Sequence, residues 1–410
     1  MLSETLSFKS SGSACISRLF KDESLSEKDR AFILALYLGV LERLYFLDYS
    51  IEAYSNVPFN KIKPAVKNIL RIALYQMYFM DLVPERAAVS EALKLAELRG
   101  LRNLKGFING LLRTIQREGL KKDAPDHIMA GVPEWMYEKV CGDIGKEKAD
   151  EFFRSSFIHD KTLTASLNPA AAPSDEIIKS LEADGCSAVC KDGVCEISLS
   201  GKIEDLKAFK EGYIYIQSAN SMKAAEAAAG LCSIKDPFII DVCASPGGKS
   251  IDLSFAFPHA AILSRDKSRG KINLIEENIS RLKIKNIACQ VYDAAVFDEG
   301  YEKKADIVIA DVPCSGIGVI SQKPDIRHRL KKEDIAALSA LQRKILMASA
   351  GYVKEKGLLI YSTCTLTKEE NAENTGWFEQ SFDFTLEKSG TYTTYKERAD
   401  GFYVAAFRKN

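Results

Sequence analysis

Five short apolar runs in the second half of the chain, residues 238–242, 261–264, 287–292, 306–310 and 357–361, are separated by stretches long enough for helices. Runs that are apolar throughout, rather than alternating with polar residues, suit strands buried on both faces. Helices between such strands produce a parallel sheet covered on both sides. This pattern predicts an α/β domain over residues 213–410, with a closing strand near residues 402–407.

Upstream the texture differs. Between residues 13 and 119 apolar residues recur at three- and four-residue steps, as in Ile33, Leu34, Tyr37, Val40, Leu41 and Leu44, with breaks near Pro58, Pro64, Pro84 and Gly100. That periodicity predicts amphipathic helices packed as an all-α bundle over residues 1–124. From Pro125 to Gly212, Pro133, Pro169 and Pro173 interrupt mixed helical and extended stretches, which predicts a small α+β unit over residues 125–212. Within it, Val189 to Cys195 suits a hairpin turning at Asp192-Gly193, because Asp-Gly accepts the positive φ of a tight turn. Cys186, Cys190 and Cys195 fit no familiar zinc spacing and are expected as buried strand thiols. The expected fold is therefore multidomain: an all-α bundle, a small α+β middle unit and an α/β domain.

Charge restricts the function classes only locally. Lys plus Arg and Asp plus Glu balance at 56 each, so a nucleic-acid partner would show only as a patch. Lys94, Arg99, Arg102, Lys105, Arg113, Arg117, Lys121 and Lys122, set against Glu97 and Glu118, form one. It suits a solvated helix face and a phosphate contact equally well. No apolar run reaches the about 20 residues that span a bilayer. The opening Met1-Leu2-Ser3-Glu4-Thr5 lacks the features of a signal peptide, so a cytoplasmic location with reduced cysteines is expected. Four histidines leave little material for a histidine-built centre, and no metal is expected.

The residues that carry chemistry sit where the predicted strands end. The first strand runs into Asp241-Val242-Cys243-Ala244-Ser245-Pro246-Gly247-Gly248-Lys249-Ser250, a glycine turn that lets the backbone approach a bound nucleoside closely. The dinucleotide fingerprint and the phosphate loop are both absent, which disfavours nicotinamide and ATP. Asp266 ends the second strand, where an acid suits ribose hydroxyls, and Asp293 follows the third. The fourth ends in Asp311-Val312-Pro313-Cys314-Ser315-Gly316 and the fifth in Tyr361-Ser362-Thr363-Cys364-Thr365. A cysteine closing a buried strand is often a small apolar filler. Two at neighbouring strand ends suit the methylation of an unreactive ring carbon. C5 of cytosine has no lone pair, and it becomes nucleophilic when a thiolate adds at C6 while an acid donates to N3. Cys364 is the candidate nucleophile and Asp311 the candidate acid, expected to be protonated in an apolar setting that raises its pKa. Cys314 is placed to assist release, and the base must be flipped out or single-stranded.

These motifs, together with Lys323-Pro324-Asp325-Ile326, Glu369-Glu370-Asn371 and Asp400-Gly401-Phe402-Tyr403, resemble those of the Sun/Fmu family of RNA cytosine-C5 methyltransferases. Over nearly its full length the chain resembles the branch acting on 16S ribosomal RNA. Val83-Pro84-Glu85-Arg86-Ala87-Ala88-Val89 and Gly106-Phe107-Ile108-Asn109-Gly110-Leu111-Leu112-Arg113 are similar to that branch's NusB-like RNA-binding domain. The resemblance implies a Rossmann-like class I methyltransferase domain using S-adenosylmethionine. Its contacts would be Cys243, Ala244, Ser245, Pro246, Gly247, Gly248, Lys249, Asp266, Asp293 and Asp311, with attack by Cys364 and product release promoted by Cys314. Small-subunit RNA before full ribosome assembly is the implied partner, with no membrane, and a monomer is the implied state. The chain departs from the family at Ser245, at Tyr292, at Gln217-Ser218-Ala219, which lacks the family's acid beside the substrate, and at His159-Asp160, which replaces a more basic segment. Two other readings stay open. One is the same reaction on transfer RNA; the other is a non-catalytic NusB-like RNA-binding or antitermination protein, which would bind no cofactor.

Overall fold

The computed structural model describes residues 1–158, 162–191, 193–199, 201–396 and 398–410. The chain divides into two compact units, one of Met1–Phe157 with Ile320–Lys332 and the other of Ile158–Val319 with Glu333–Asn410.

The first unit is helical, built on Gly12–Phe20, Glu27–Tyr54, Pro64–Phe79, Glu85–Leu98 and Lys105–Glu118, then Glu134–Ile144 and Lys146–Ser155. The breaks fall where backbone chemistry puts them. Pro64 opens its helix, where a missing N–H costs nothing, Pro84 immediately precedes Glu85–Leu98, and Gly100 takes φ 70° just beyond it. Ser11 and Ser26 cap the first two of these helices by accepting from the Ala14 and Asp29 amides, contacts worth about 1 kcal/mol each. The stripe Tyr37, Val40, Leu41 and Leu44 is buried in one core with Leu70, Leu74, Ile108 and Leu112.

The motif Lys323-Pro324-Asp325-Ile326, expected with the α/β half, belongs to this helical unit. Asp325 Oδ2 accepts the Gly12 N–H at 2.9 Å, and a Cβ on Gly12 would lie 2.8 Å from Asp325 Cγ, so a side chain there would push this carboxylate aside. Arg327 is fully buried, donating to the Ala130 carbonyl at 2.8 Å and to Ser156 Oγ at 2.6 Å. His328 Nε2–H donates to the Leu41 carbonyl at 2.6 Å, and its ring stacks on Tyr45. Burial pushes its pKa down to about 4.

The second unit holds two sheets. The smaller comprises β1 (Thr162–Leu167), β2 (Ser187–Lys191), β3 (Val194–Ser198) and β4 (Ile214–Ile216), in the order β2-β3-β1-β4. The hairpin β2–β3 forms as expected, although Asp192 of its turn lies outside the described residues, as do His159 and Asp160. Cys190 and Cys195 are not the thiols expected: they face each other in register and form a disulfide, while Cys186 is free and buried.

The larger sheet comprises β5 (Phe238–Asp241), β6 (Ala261–Asp266), β7 (Ile287–Val291), β8 (Ala305–Asp311), β9 (Val353–Thr363), β10 (Phe384–Tyr395) and β11 (Arg398–Lys409). Their order is β10-β11-β9-β8-β5-β6-β7, with β5 to β9 parallel and β11 antiparallel to both β9 and β10. Ile239, Ile240, Val308, Ile309, Leu359 and Ile360 are fully buried, each contributing about 1.5–3 kcal/mol of apolar burial. This is the Rossmann-like architecture. The strand order reverses between β5 and β8, and such a switch opens a crevice at the carboxyl ends of the strands.

The buried His328 makes the helical unit sensitive to acid. It stays neutral when folded down to about pH 4, whereas the unfolded chain takes up the proton near pH 6.5, so stability falls as pH drops through that window. The thermal midpoint of the full chain should decline between these pH values, with up to about 3 kcal/mol from this residue. His328→Gln, which keeps a donor for the Leu41 carbonyl, should flatten the decline; an unchanged slope would refute the assignment.

Candidate active site

The crevice is lined by the residues that continue the chain beyond each parallel strand. After β5 the chain turns through Gly247 at φ 113° into the helix Gly248–Ala256. A Cβ on Gly248 would meet Gln217 Oε1 at 2.6 Å, so any side chain there would displace this glutamine. Gln217 Nε2 is held by Ser166 Oγ at 2.9 Å and Asp252 Oδ2 at 2.5 Å. In the departure Gln217-Ser218-Ala219, Ala219 is buried rather than set at a rim.

Beneath the turn, Asp241 is wholly buried, and Ser264 Oγ donates to Ser250 Oγ at 2.7 Å, which in turn donates to Asp241 Oδ2 at 2.7 Å. Burial raises the pKa of Asp241 to about 7 against that hydrogen bond. Burial likewise pushes the Cys243 thiol up, with the charges of Asp241, Asp311 and Asp266 adding to the effect. Asp266, at the end of β6, is buried and accepts the Ser268 N–H at 3.3 Å. Asp293 is more exposed and pairs with Lys267 at 2.8 Å, which holds its carboxyl below the usual range.

Asp311 closes β8, but its setting is not the apolar one expected. Lys249 Nζ lies 2.6 Å from Asp311 Oδ2, and Ser362 Oγ donates to Oδ1 at 2.7 Å. The turn after β5 has brought the lysine of its own helix back over the neighbouring strand end. Burial would discharge Lys249, yet Asp311 and Asp241 outweigh it and raise its pKa, while Ser221 Oγ accepts a further bond at 2.8 Å.

The two cysteines meet. Cys314 Sγ and Cys364 Sγ are 3.1 Å apart, and the Cys364 N–H donates to Cys314 Sγ at 3.3 Å. Neither is fully buried. The hydrogen bond with Cys364, then burial, then the charge of Cys364 hold the Cys314 thiol well above its ordinary pKa. Cys314 therefore holds its proton more firmly than an ordinary thiol does, and in the contact between the two sulfurs either can be the donor.

Two of the sequence motifs act through the backbone. Gly318 and Gly401 cross so closely that a Cβ on Gly318 would lie 2.2 Å from the Gly401 carbonyl, and the Gly318 N–H donates to the Cys364 carbonyl at 3.0 Å. Asp400 Oδ2 accepts the Asn220 N–H at 3.0 Å. Sequence reasoning missed the Lys249–Asp311 pair, having assigned both residues to the site without connecting them.

Both parts of the chain are similar to known proteins. Residues 230–408 match the family 16S rRNA methyltransferase RsmB/F, and residues 5–117 match the NusB family. The chain is 34% identical to the Probable ribosomal RNA small subunit methyltransferase B of Bacillus subtilis (strain 168), across 90% of this chain and 85% of that protein. The chain belongs to the RsmB/F family of 16S rRNA methyltransferases. A cyanobacterial relative in Synechocystis, bearing the same name, is 29% identical over 96% of this chain and 94% of its own length. Among solved structures, that of PH0851 superposes with a TM-score of 0.78 at 25% identity, covering 95% of this chain and 93% of that one. NSun6 from Pyrococcus horikoshii shares the fold at a TM-score of 0.60 and 21% identity, over 68% of this chain and 98% of its own. S-adenosylmethionine is the cofactor of this methyltransferase, and the side-chain-free turn at Gly247 and Gly248 fits such a group.

The unequal thiols give a direct readout. Under limiting iodoacetamide near pH 8, Cys364 should be alkylated faster than Cys314, since a thiol held well above its ordinary pKa presents less of the reactive thiolate. Peptide mass spectrometry showing equal rates, or Cys314 reacting first, would reverse the assignment.

Proposed function

We propose that this enzyme methylates carbon 5 of a cytidine in 16S ribosomal RNA through a covalent bond between Cys364 and C6 of the base. The observation that carries the reading is the 3.1 Å approach of Cys314 and Cys364 beside the Lys249–Asp311 pair, all at the carboxyl ends of β5, β8 and β9. The names of the relatives support small-subunit RNA as the substrate class.

The residues divide the work by chemistry. Cys364 Sγ, as thiolate, forms the bond to C6. The proton shared between Lys249 Nζ and Asp311 Oδ2 passes through the Asp311 carboxyl to N3, so the electron pair of the C5–C6 bond becomes available at C5. When bound, S-adenosylmethionine supplies a methyl group on a positively charged sulfur for that carbon to take. Cys243, Ala244, Ser245, Pro246, Gly247 and Gly248 would face this group along the turn, with Asp266 and Asp293 at the next two strand ends on the ribose side. The C5 proton then passes to solvent water, its electron pair reforms the C5–C6 double bond as the S–C6 bond breaks with its electrons staying on the Cys364 sulfur, and N3 returns its proton to the Asp311 carboxylate. Cys314, which keeps its proton, stands where it can hand that proton to the sulfur of Cys364 as it departs.

RNA would engage the helical unit through the stretch from Lys94 to Lys122. Glu97 pairs with Arg102 and Lys105, Glu91 with Lys94, Glu118 with Arg117 and Asp123 with Lys121, which leaves Arg99, Arg113 and Lys122 as the exposed cations best placed for phosphate. A flipped or unpaired cytidine is required, because a stacked base shields C6.

The test is transfer of a tritiated methyl group from S-adenosylmethionine to 16S RNA lacking the mark, followed by nucleoside analysis. The label should appear as 5-methylcytidine, and label in any other nucleoside would overturn the reading. Cys364→Ala should abolish turnover. Cys314→Ala should leave protein bound to RNA through denaturing electrophoresis, and an adduct formed by Cys364→Ala instead would exchange the two roles.

A further inference from the structure

Glu370 lies in the Glu369-Glu370-Asn371 motif, to which the chemistry above gives no part, and its side chain is wholly buried. A buried carboxylate is costly unless its oxygens are filled. Here each oxygen takes two hydrogen bonds. Oε1 accepts the Ser315 N–H at 2.8 Å and Gln342 Nε2 at 3.0 Å, and Oε2 accepts Ser315 Oγ at 2.6 Å and Thr367 Oγ1 at 2.7 Å.

Those donors surround the two cysteines. Ser315 follows Cys314 directly, and Gln342 Nε2 also donates to the carbonyl of Pro313, on the other side of Cys314, at 3.0 Å. Since the Ser315 hydroxyl proton goes to Glu370, the 2.6 Å contact between Ser315 Oγ and Thr365 Oγ1 is donated by Thr365, the residue after Cys364. One carboxylate thus grips the Cys314 loop on both flanks and reaches the Cys364 loop through a single hydroxyl. The two sulfurs have unequal support. Cys364 continues directly from β9, which is paired on both sides, whereas Cys314 lies in the irregular stretch after β8.

We propose that Glu370 is a positioning residue for the second half of the reaction: it holds Cys314 within reach of the Cys364 sulfur while the base is attached, so that the adduct resolves. This rests on the covalent reading above. Attack requires Cys364 alone, while release requires both cysteines. Loosening the Cys314 loop therefore slows breakdown of the adduct more than its formation.

The experiment compares wild type, Cys314→Ala, Glu370→Ala, Glu370→Gln and Ser315→Ala on 16S RNA lacking the mark, with S-adenosylmethionine present. Covalent protein–RNA complex is quantified by denaturing electrophoresis, turnover by methyl transfer, and cofactor affinity by calorimetry. Glu370→Ala and Ser315→Ala should accumulate the complex as Cys314→Ala does, with turnover reduced on the order of tenfold or more, the scale of lost orientation, and with wild-type cofactor affinity. Glu370→Gln should recover most of the turnover, because its oxygen still accepts from Ser315 and Gln342 and its amide faces hydroxyls that can accept. Trapping by Cys314→Ala without trapping by either Glu370→Ala or Ser315→Ala would overturn the positioning role, as would cofactor affinity falling in step with turnover. A Cys314→Ala enzyme that captures no RNA would overturn the covalent reading itself, and this inference with it.

Discussion

The parallel pairing of β8 with β9, in a register that sets Asp311 opposite Ser362, is the constraint on which the site depends. Cys314 and Cys364 lie three and two residues beyond that pair, so their meeting is decided by strand register before any side chain chooses a rotamer. A slip of one residue would turn every side chain of β9 to the opposite face, and because Leu359 packs in one buried core and Ile360 in the other, it would unfit the packing of both. Ser362 serves twice, as the ladder partner of Asp311 and as a donor to its carboxylate. The order of the backbone and that of the side chains at the strand ends are one arrangement at this point.

The electrostatics arise from crowding four carboxylates, Asp241, Asp266, Asp293 and Asp311, at adjacent strand ends. Three of them meet a lysine: Asp311 meets Lys249, Asp293 meets Lys267, and Asp266 meets Lys271 at 3.4 Å. The fourth, Asp241, is wholly buried, and that burial raises its pKa to about 7 against the Ser250 hydroxyl and the Cys243 amide that donate to it. Such a setting suits a cofactor that arrives with positive charge on sulfur. It also gives Lys249 a counterion, whose charge opposes the pull of burial on its pKa.

Much of this was legible in the chain. The parallel strands were visible because a strand covered on both faces must be apolar throughout, and the residues closing them, Asp266, Asp311 and Cys364, could be named from the ends of those runs. The edge strand β10 was not, because Phe384–Tyr395 mixes lysine, glutamate, serine and glycine and is half exposed, leaving little hydrophobic signal. Partners are invisible in sequence where separation is long and local chemistry is silent. That is why Lys249 was placed on the cofactor without its bond to Asp311, why Glu370 stood in a motif without its hold on Ser315, and why Cys190 and Cys195 were expected as thiols. The Lys323-Pro324-Asp325-Ile326 motif entered only through the family resemblance of the C-terminal half, whereas it belongs to the helical unit, where Asp325 accepts the amide of Gly12.

The passage of the chain through its two units has a consequence of its own. It leaves the helical unit after Phe157, re-enters it at Ile320 and departs again after Lys332, so neither body is a contiguous stretch of polypeptide. A gene fragment ending near residue 157 encodes a bundle stripped of Arg327 and His328, and the complementary fragment carries thirteen residues folded for a surface it no longer has. Recombination could not exchange one body as a cassette, and during synthesis the bundle stays unfinished until the ribosome has already delivered the strand bearing Asp311.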